Sequence, residues 1–534
     1  MVNKVSRRVF GAGMVASGLI GRSAASFAQE TPKRGGTLVA TWGGGEPQAC
    51  YVPAGGGSSP TFSSSKLFER LGNRTMDGRF EGELAEAWKP AADFQSYTIK
   101  IRKGVKFHDG KDMTVDDVVY SISEIWKKYA AGAALTDFVG VEAPDADTVV
   151  VKFTKPVPEF FFSSLLCGSV NYIVPKHVYA GSDPVTNPAN NAPIATGPWK
   201  FKEWVRGSHF EYVKNDAYWR KDMPYMDRLI IRYVRDPSGR AAAMEAGDIQ
   251  IGVFNPVAPP DIKRLTATGK FVATPKGYEE SVWSTTLECN MRNPIFEKRE
   301  VRQAMFFAVD RNLIAKTIYY GYARPGTSPI YSPNTEFFTK DTFKTAFDPK
   351  KAAALLDAAG YPKKGDGKRF TLNLLAAGWF TENGKIGAIV KQGLEDVGVG
   401  INLTVPDRPT SIKRIYTNYD FDLAISNQAN PSEPVPSTTQ YYTSDGIKKG
   451  VPFRNASGFH TDAVDALVEK IKVETDPAKR KALVVEFQKI IAVDAPLLPL
   501  VELESITVAS TKVQNHSNDP NYLAASWYDI WLAS

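Results

Sequence analysis

At 534 residues, 43% of them hydrophobic and 23% charged, the chain has the makeup of a folded protein of two or three domains, which excludes disorder. Its formal charge of +7 falls to +3 once Lys4, Arg7, Arg8 and Arg22 are set aside as part of a leader. That is too near neutral for nucleic acid or an anionic membrane to be the main partner. Cys50, Cys167 and Cys289 are an odd, widely spaced set that permits one disulfide at most, and no metal or redox chemistry is expected of them.

Residues 1 to 28 read as an export signal, with Ser6-Arg7-Arg8-Val9-Phe10 ahead of a short apolar run and Ser26-Phe27-Ala28 in the small-x-small form of a cleavage site. The paired arginines favour the twin-arginine route over an ordinary secretory one, with Gln29 as the mature start. The apolar run is well short of the roughly 20 residues that span a bilayer. A strand is predicted over Thr37 to Thr41, left by the loop Trp42-Gly43-Gly44-Gly45-Glu46-Pro47, and Gly55 to Pro60 reads as a second loop. Tyr97, Ile99 and Ile101 alternate with polar residues, the period of a strand with one buried face. Lys103-Gly104 and His108-Asp109-Gly110 then turn the chain into a helix capped by Thr114 with Asp117 three residues on.

Strands are expected at Thr148 to Phe153 and Leu229 to Val234, and a helix over Gly239 to Ala246 closed by Gly247. The second half reads as more helical: Arg299 to Tyr319, Pro349 to Ala359 behind Asp348, Gly384 to Val397, Asp462 to Val473 and Pro477 to Ala492. Strands around Leu372 to Leu375 and Ile401 to Val405 alternate with these helices, which implies an α/β lobe, and 500 to 534 returns to strand-like text.

Several blocks, in order, resemble the family 5 extracellular solute-binding proteins, receptors of peptide-type ABC importers. They are Glu83-Leu84-Ala85-Glu86-Ala87-Trp88, Lys103 to Gly110 followed by Met113 to Ser121, Ala195-Thr196-Gly197-Pro198-Trp199-Lys200-Phe201, Asn215 to Trp219, Val301 to Arg311 and Ala352 to Tyr361. The resemblance covers essentially everything after residue 33. It implies an α/β fold of two lobes closing over a buried ligand: lobe I from 29–75, 196–285 and 500–534, an inserted subdomain at 76–195, and lobe II at 286–499. The chain is expected to cross between lobes near 280 to 290 and 497 to 504. Trp527, Tyr528 and Trp531 should then pack back into the first lobe.

No catalytic constellation is present: no GxSxG elbow, no HExxH, no phosphate loop, no CxxC pair, and only five scattered histidines. A binding reading asks instead for aromatic walls and a few fixed polar groups between lobes. The resemblance points to Trp42, Gly45 and Glu46 on the loop after the first strand, and to Trp283, Asn290 and Arg292 on the stretch that should cross. A solvent loop and core packing compete with these readings. In the second lobe Trp379 falls between a strand and a helix, where α/β lobes place ligands.

Peptide-binding relatives carry an aspartate for the ligand's amine where this chain has Ser426-Asn427-Gln428-Ala429-Asn430-Pro431-Ser432-Glu433-Pro434, so Gln428, Asn430 and Glu433 are candidates there. An amide lacks the charge that makes such a bond strong. Glu433, Glu46 or Glu288 would then have to supply a carboxylate. The expected function is a periplasmic receptor, a monomer without cofactor, that delivers a short peptide to an ABC permease. The alternatives are an opine-like conjugate or an oligosaccharide as ligand and, more remotely, a hydrolase using Glu46 and Glu433 as a carboxylate pair.

Overall fold

The computed structural model describes residues 31–53, 57–131, 135–280, 282–342 and 347–534. The expected leader, 1 to 28, with Gln29, lies outside the described residues, as do Gly55 and Gly56. No helix among the described residues is long and apolar enough to cross a membrane.

Three sheets organise the chain. A seven-stranded sheet runs in the order Phe271–Thr274, Thr507–Ser510, Ile251–Val253, Thr37–Trp42, Arg228–Arg232, His209–Lys214, Trp199–Val205. A six-stranded sheet runs Ala323–Pro325, Leu497–Leu503, Val282–Cys289, Leu423–Asn430, Phe370–Ala376, Val399–Thr404. A four-stranded antiparallel sheet, Ala85–Pro90, Ser96–Ile101, Thr148–Phe153, Phe138–Asp145, stands on the first lobe.

Both large sheets mix parallel and antiparallel pairs, and in the six-stranded one the central Val282–Cys289 is antiparallel to both neighbours. Thr37–Trp42 pairs in parallel with both neighbours, and so does Phe370–Ala376. All eight residues of Val282–Cys289 pair within the six-stranded sheet, so the boundary expected at 285/286 cuts through a strand. Among the described residues the passages between the sheets are 275–280 and 504–506, outside the strands rather than along them.

Alternation gave the strand Ser96–Ile101 because Tyr97, Ile99 and Ile101 are its buried face. Thr114 opens the next helix with its N–H donating to the Asp117 carboxylate at 2.8 Å, and the same carboxylate accepts from the Lys176 N–H at 2.8 Å. One side chain therefore caps a helix and fixes a distant loop. His108 plays a similar part. Its Nε2 donates to the Gly197 carbonyl at 3.1 Å and its Nδ1 accepts from the Ala195 N–H at 3.2 Å, which sets the neutral tautomer. Burial holds its pKa down to about 4.

Two expectations are corrected. Ser58–Ser64 is a helix with Pro60, Thr61 and Phe62 buried, where a loop was expected. The single helix expected over Arg299 to Tyr319 is two, Arg299–Phe307 and Arg311–Thr317, because the Asp310 carboxylate accepts from the Leu313 N–H and starts a new helix. The C-terminal aromatics do return to the first core: Trp527 packs on Phe62 at 5.5 Å and Tyr522 at 5.3 Å, and Trp199 Nε1 donates to Ser526 O at 2.9 Å.

Gly197 sits where two blocks of the first lobe touch. A Cβ there would lie 2.3 Å from the Leu67 carbonyl oxygen, which accepts from the Gly197 N–H at 2.7 Å. Gly197→Ala is expected to destabilise the first lobe by about 1–3 kcal/mol, read as a fall in the midpoint of denaturant unfolding. An unchanged midpoint would mean that this contact relaxes freely.

Candidate functional site

The parallel strands Thr37–Trp42, Phe370–Ala376 and Leu423–Asn430 turn their carboxyl ends toward the gap between lobes, the edge where α/β sheets bind ligands. On the first lobe that edge carries Trp42, and on the second it carries Trp379, Phe380 and Asn430. A cavity of about 280 Å³ lies here, with walls from all parts of the molecule: Arg70 and Arg74 of the first lobe, Asn171 of the inserted subdomain, Glu433 of the second lobe and Asp519 of the C-terminal segment. Phe80, Phe161, Leu165 and Val435 give it an apolar frame. Beside it the rings of Phe160 and Phe337 meet edge to face at 5.2 Å across the lobes.

Of the residues singled out from the sequence, Glu433 lines this cavity, but its carboxylate is already engaged. Arg480 grips it through two bonds, at 2.8 and 3.0 Å, and both side chains are buried. Trp283 and Trp379 are brought near one another at the cleft edge. Trp283 packs edge-on to Phe380 at 6.1 Å, and Trp379 Nε1 donates to Asn427 Oδ1 at 3.0 Å. Both indoles are half-buried. Trp42 is 2% exposed and stacks on Phe62 at 5.4 Å, its Nε1 without a partner. Gly45 is exposed beside it with open space around its Cα.

The remaining candidates serve the fold. Glu46 accepts from Trp204 Nε1 at 2.8 Å and from the Gly207 N–H at 2.9 Å, so it ties its loop to the edge hairpin of the first lobe. Glu46 and Glu433 thus each hold partners of their own lobe, and the hydrolase pair is not assembled. Asn290 and Arg292 lie past the far end of Val282–Cys289, roughly 24 Å from the cleft edge at 3.4 Å per residue. Asn290 Nδ2 donates to the carbonyls of Tyr419 and Phe421, and Arg292 lies over the Tyr419 ring at 3.7 Å. The eight-residue strand carried the sequence reading past the hinge and out the other side.

Asn430 is 2% exposed, does not line the cavity, and spends its amide inside the lobe. Its Nδ2 donates to Ser284 Oγ at 2.8 Å and its Oδ1 accepts from Thr438 Oγ1 at 3.3 Å. Gln428, two residues earlier on the same face, is buried with its Nε2 unpartnered, and Ser426 donates to the Glu288 carboxylate. Burial pushes Glu288 up to about 7. The cavity walls that sequence reasoning missed, Arg70, Arg74, Asn171, Glu280 and Asp519, come from loops and strand ends that carry no periodic signal. The turn at Asp519-Pro520 is the one local cue.

Comparison with known proteins agrees with this geometry. Residues 79–450 match the family model described as bacterial extracellular solute-binding proteins, family 5 Middle. The chain is 28% identical over 495 residues to the oligopeptide-binding protein AppA of Bacillus subtilis, covering 89% of this chain and 87% of that one. The crystal structure of AppA from Bacillus subtilis with a nonapeptide superposes with a TM-score of 0.75 at 25% identity, over 94% of this chain and all of that one. AgaA in complex with agropinic acid, from A. tumefacien R10, shares the fold at a TM-score of 0.75 and 24% identity, over 93% of this chain and 99% of that one.

Two outcomes follow from the buried polar ladder. Glu288 binds a proton more tightly folded than unfolded, so its contribution is fully present below the unfolded value near 4.5 and is lost as pH rises through about 7. Between pH 4.5 and 7.5 the stability of Glu288→Gln should therefore rise relative to the parent by on the order of 2–4 kcal/mol; parallel curves would show that Glu288 does not titrate there. Asn430→Asp should leave ligand affinity where it is and destabilise the second lobe by about 1–3 kcal/mol, because a buried carboxylate replaces the amide donor. A gain in affinity for a free-amine peptide would put position 430 in the site.

Proposed function

The chain belongs to the bacterial extracellular solute-binding proteins, family 5, and from that premise we propose that it is the periplasmic receptor of an ABC importer, catching a short peptide between its lobes and handing it to the permease. The observation that carries this reading is the cavity of about 280 Å³, polar groups of both signs set in an apolar frame, walled by both lobes at once. A solute there touches the second wall only when the lobes close, so its differential affinity favours closure. Shifting the lobes from 1:99 to 99:1 takes about 5.5 kcal/mol of such preference. The ligand is bound and handed on unaltered. Export by the twin-arginine route and action as a monomer belong to the same proposal.

Peptides are the favoured class because the matching relative AppA is an oligopeptide-binding protein. A non-peptide solute such as an opine-like conjugate or an oligosaccharide is the second reading. Asn430 favours it, since no carboxylate stands where peptide-binding relatives use one.

A thermal-shift screen of the exported chain against short peptides, opines and oligosaccharides separates the two. At about 100 times Kd a ligand adds roughly 2.7 kcal/mol, enough to raise the Tm measurably. Peptides are expected to produce the shift. A shift confined to opines or sugars would overturn the peptide reading and leave the receptor role standing.

A further inference from the structure

A second site lies outside the cavity, on the edge hairpin of the first lobe, and stands whatever the solute is. We infer that Glu203, His209 and Glu211 bind one divalent transition-metal ion of the zinc type, through His209 Nε2 and one oxygen of each carboxylate. The register of Trp199–Val205 against His209–Lys214, the last two strands of the seven-stranded sheet, brings them together. Glu203 stands directly opposite Glu211, and Val205 opposite His209. His209 and Glu211 are two residues apart on one strand, so both side chains rise from the face that carries Glu203. The three donor atoms lie within 4.8 Å of one another, with Glu203 Oε1 3.9 Å from His209 Nε2. Ligands of a tetrahedral zinc stand about 3.3 Å apart. The Glu203 side chain, half exposed and without a hydrogen bond among the described residues, is free to close that difference.

The groups behind the ligands hold them for this purpose. Glu211 is 4% exposed, and its Oε1 receives Lys202 Nζ at 2.8 Å and Arg228 Nε at 2.9 Å. Both cations bond that one oxygen, and Oε2 accepts no hydrogen bond among the described residues while keeping some contact with solvent. Burial alone would raise the Glu211 pKa, but the bonds from Lys202 and Arg228 outweigh it and hold the carboxyl below its ordinary value, in the ionised form that ligation needs. His209 Nδ1 lies 3.0 Å from Ser208 Oγ. An Nδ1–H donated to that hydroxyl leaves the Nε2 lone pair for the metal, the arrangement that orients a ligating imidazole.

Charge decides which ion fits. Lys202 and Arg228 offset the two carboxylates, and Arg232, opposite His209 on the neighbouring strand, faces Asp248 at 3.9 Å. With the surroundings near neutral, bulk attraction for a dication is small, and affinity rests on the imidazole and on directed bonds. That favours zinc-type ions over magnesium or calcium, which depend on many oxygen ligands. The bound ion ties the edge strand of the sheet to its neighbour. The same hairpin holds the loop after Trp42, since Glu46 accepts from Trp204 Nε1 and the Gly207 N–H, so the ion steadies the first-lobe rim of the cleft.

The test uses the exported chain, freed of metal with a chelator, and Zn²⁺ alone as the probe, followed by calorimetric titration and Tm at neutral pH without peptide. The parent should take up Zn²⁺ and gain Tm, and should not respond to Mg²⁺ at the same concentration. Glu203→Gln and His209→Gln should each weaken that uptake by about tenfold or more, with ligand-free Tm values at the parent's. His177→Gln, which removes a histidine paired with Asp109 elsewhere on the first lobe, should leave the uptake unchanged. If one of the two hairpin variants fails to fold, the other decides. No uptake by the parent, an equal response to Mg²⁺, or parental uptake by the hairpin variants overturns the inference. Uptake lost in His177→Gln and kept in His209→Gln places the ion at His177 and overturns it as well.

Discussion

One antiparallel pairing governs the arrangement of the molecule: Val282–Cys289 lies directly against Leu497–Leu503 in the six-stranded sheet. These are the strand the chain enters on leaving the first lobe and the strand it follows just before returning there. Pairing them sets the two connecting passages, 275–280 and 504–506, side by side along one line. Both are rooted in the first lobe by hydrogen bonds. Tyr278 OH accepts from the Phe254 N–H and bonds Thr507 Oγ1, each at 2.8 Å, while Asn255 and Ile506 exchange two bonds, at 2.9 and 3.0 Å. Two short adjacent links leave rotation about their common line as the motion open to the lobes, and oppose sliding.

A cleft that closes must also manage charge, because groups solvated when it is open lose water when it shuts. The first-lobe wall does this by pairing and by holding protons. Glu69 accepts from Tyr218 OH and Trp219 Nε1, and burial together with the neighbouring Glu83 pushes it up to about 8. Glu83 faces Arg70. Arg74 spans from the first lobe to Glu280 on the connecting passage and lies against the rings of Phe80 and Phe160 at 5.4 and 5.2 Å. Such buried pairs add little net stability, since desolvation offsets their attraction. Their use here is positional: each fixes a wall of the cavity relative to a hinge or a lobe.

How much of this was legible in the sequence follows from the range of the forces involved. Ser96–Ile101, Asp462–Val473 and the Thr114 cap were readable because a period or a cap is a local signal carried by adjacent residues. The break at Asp310 was equally local, yet the apolar period through Ala308 and Val309 hid it. The site is a different matter. Trp379 was singled out because strand ends in an α/β lobe point at the cleft, which is a rule about topology, and Trp283 because it stood on the expected crossing. Asn290 and Arg292 were placed there because the crossing was put along a strand that in fact begins after it. Asp519, Asn171 and Arg74 were invisible, since their meeting depends on three segments hundreds of residues apart and on bonds such as Asn73 to Asp519 that no spacing encodes.

The balance between the open and closed forms is the last consequence of this architecture. Away from the connecting passages Phe160 meets Phe337 across the lobes, and within the second lobe the Arg480 guanidinium lies 5.3 Å from the same Phe337 ring. An aromatic pair of this kind contributes on the order of 1 kcal/mol beyond its buried area. That is enough to orient closure and too little to lock it. The rest of the closing free energy has to come from the solute, whose apolar parts meet Phe161 and Val435 on opposite walls and whose polar parts meet groups already oriented by neighbours of their own. Because Glu433 and Glu280 are held by Arg480 and Arg74 before any ligand arrives, the walls need no reorganisation on binding, and the contact energy goes into shifting the lobes. A receptor that must both hold its cargo and release it to a permease depends on that division between rigid walls and a loosely biased hinge.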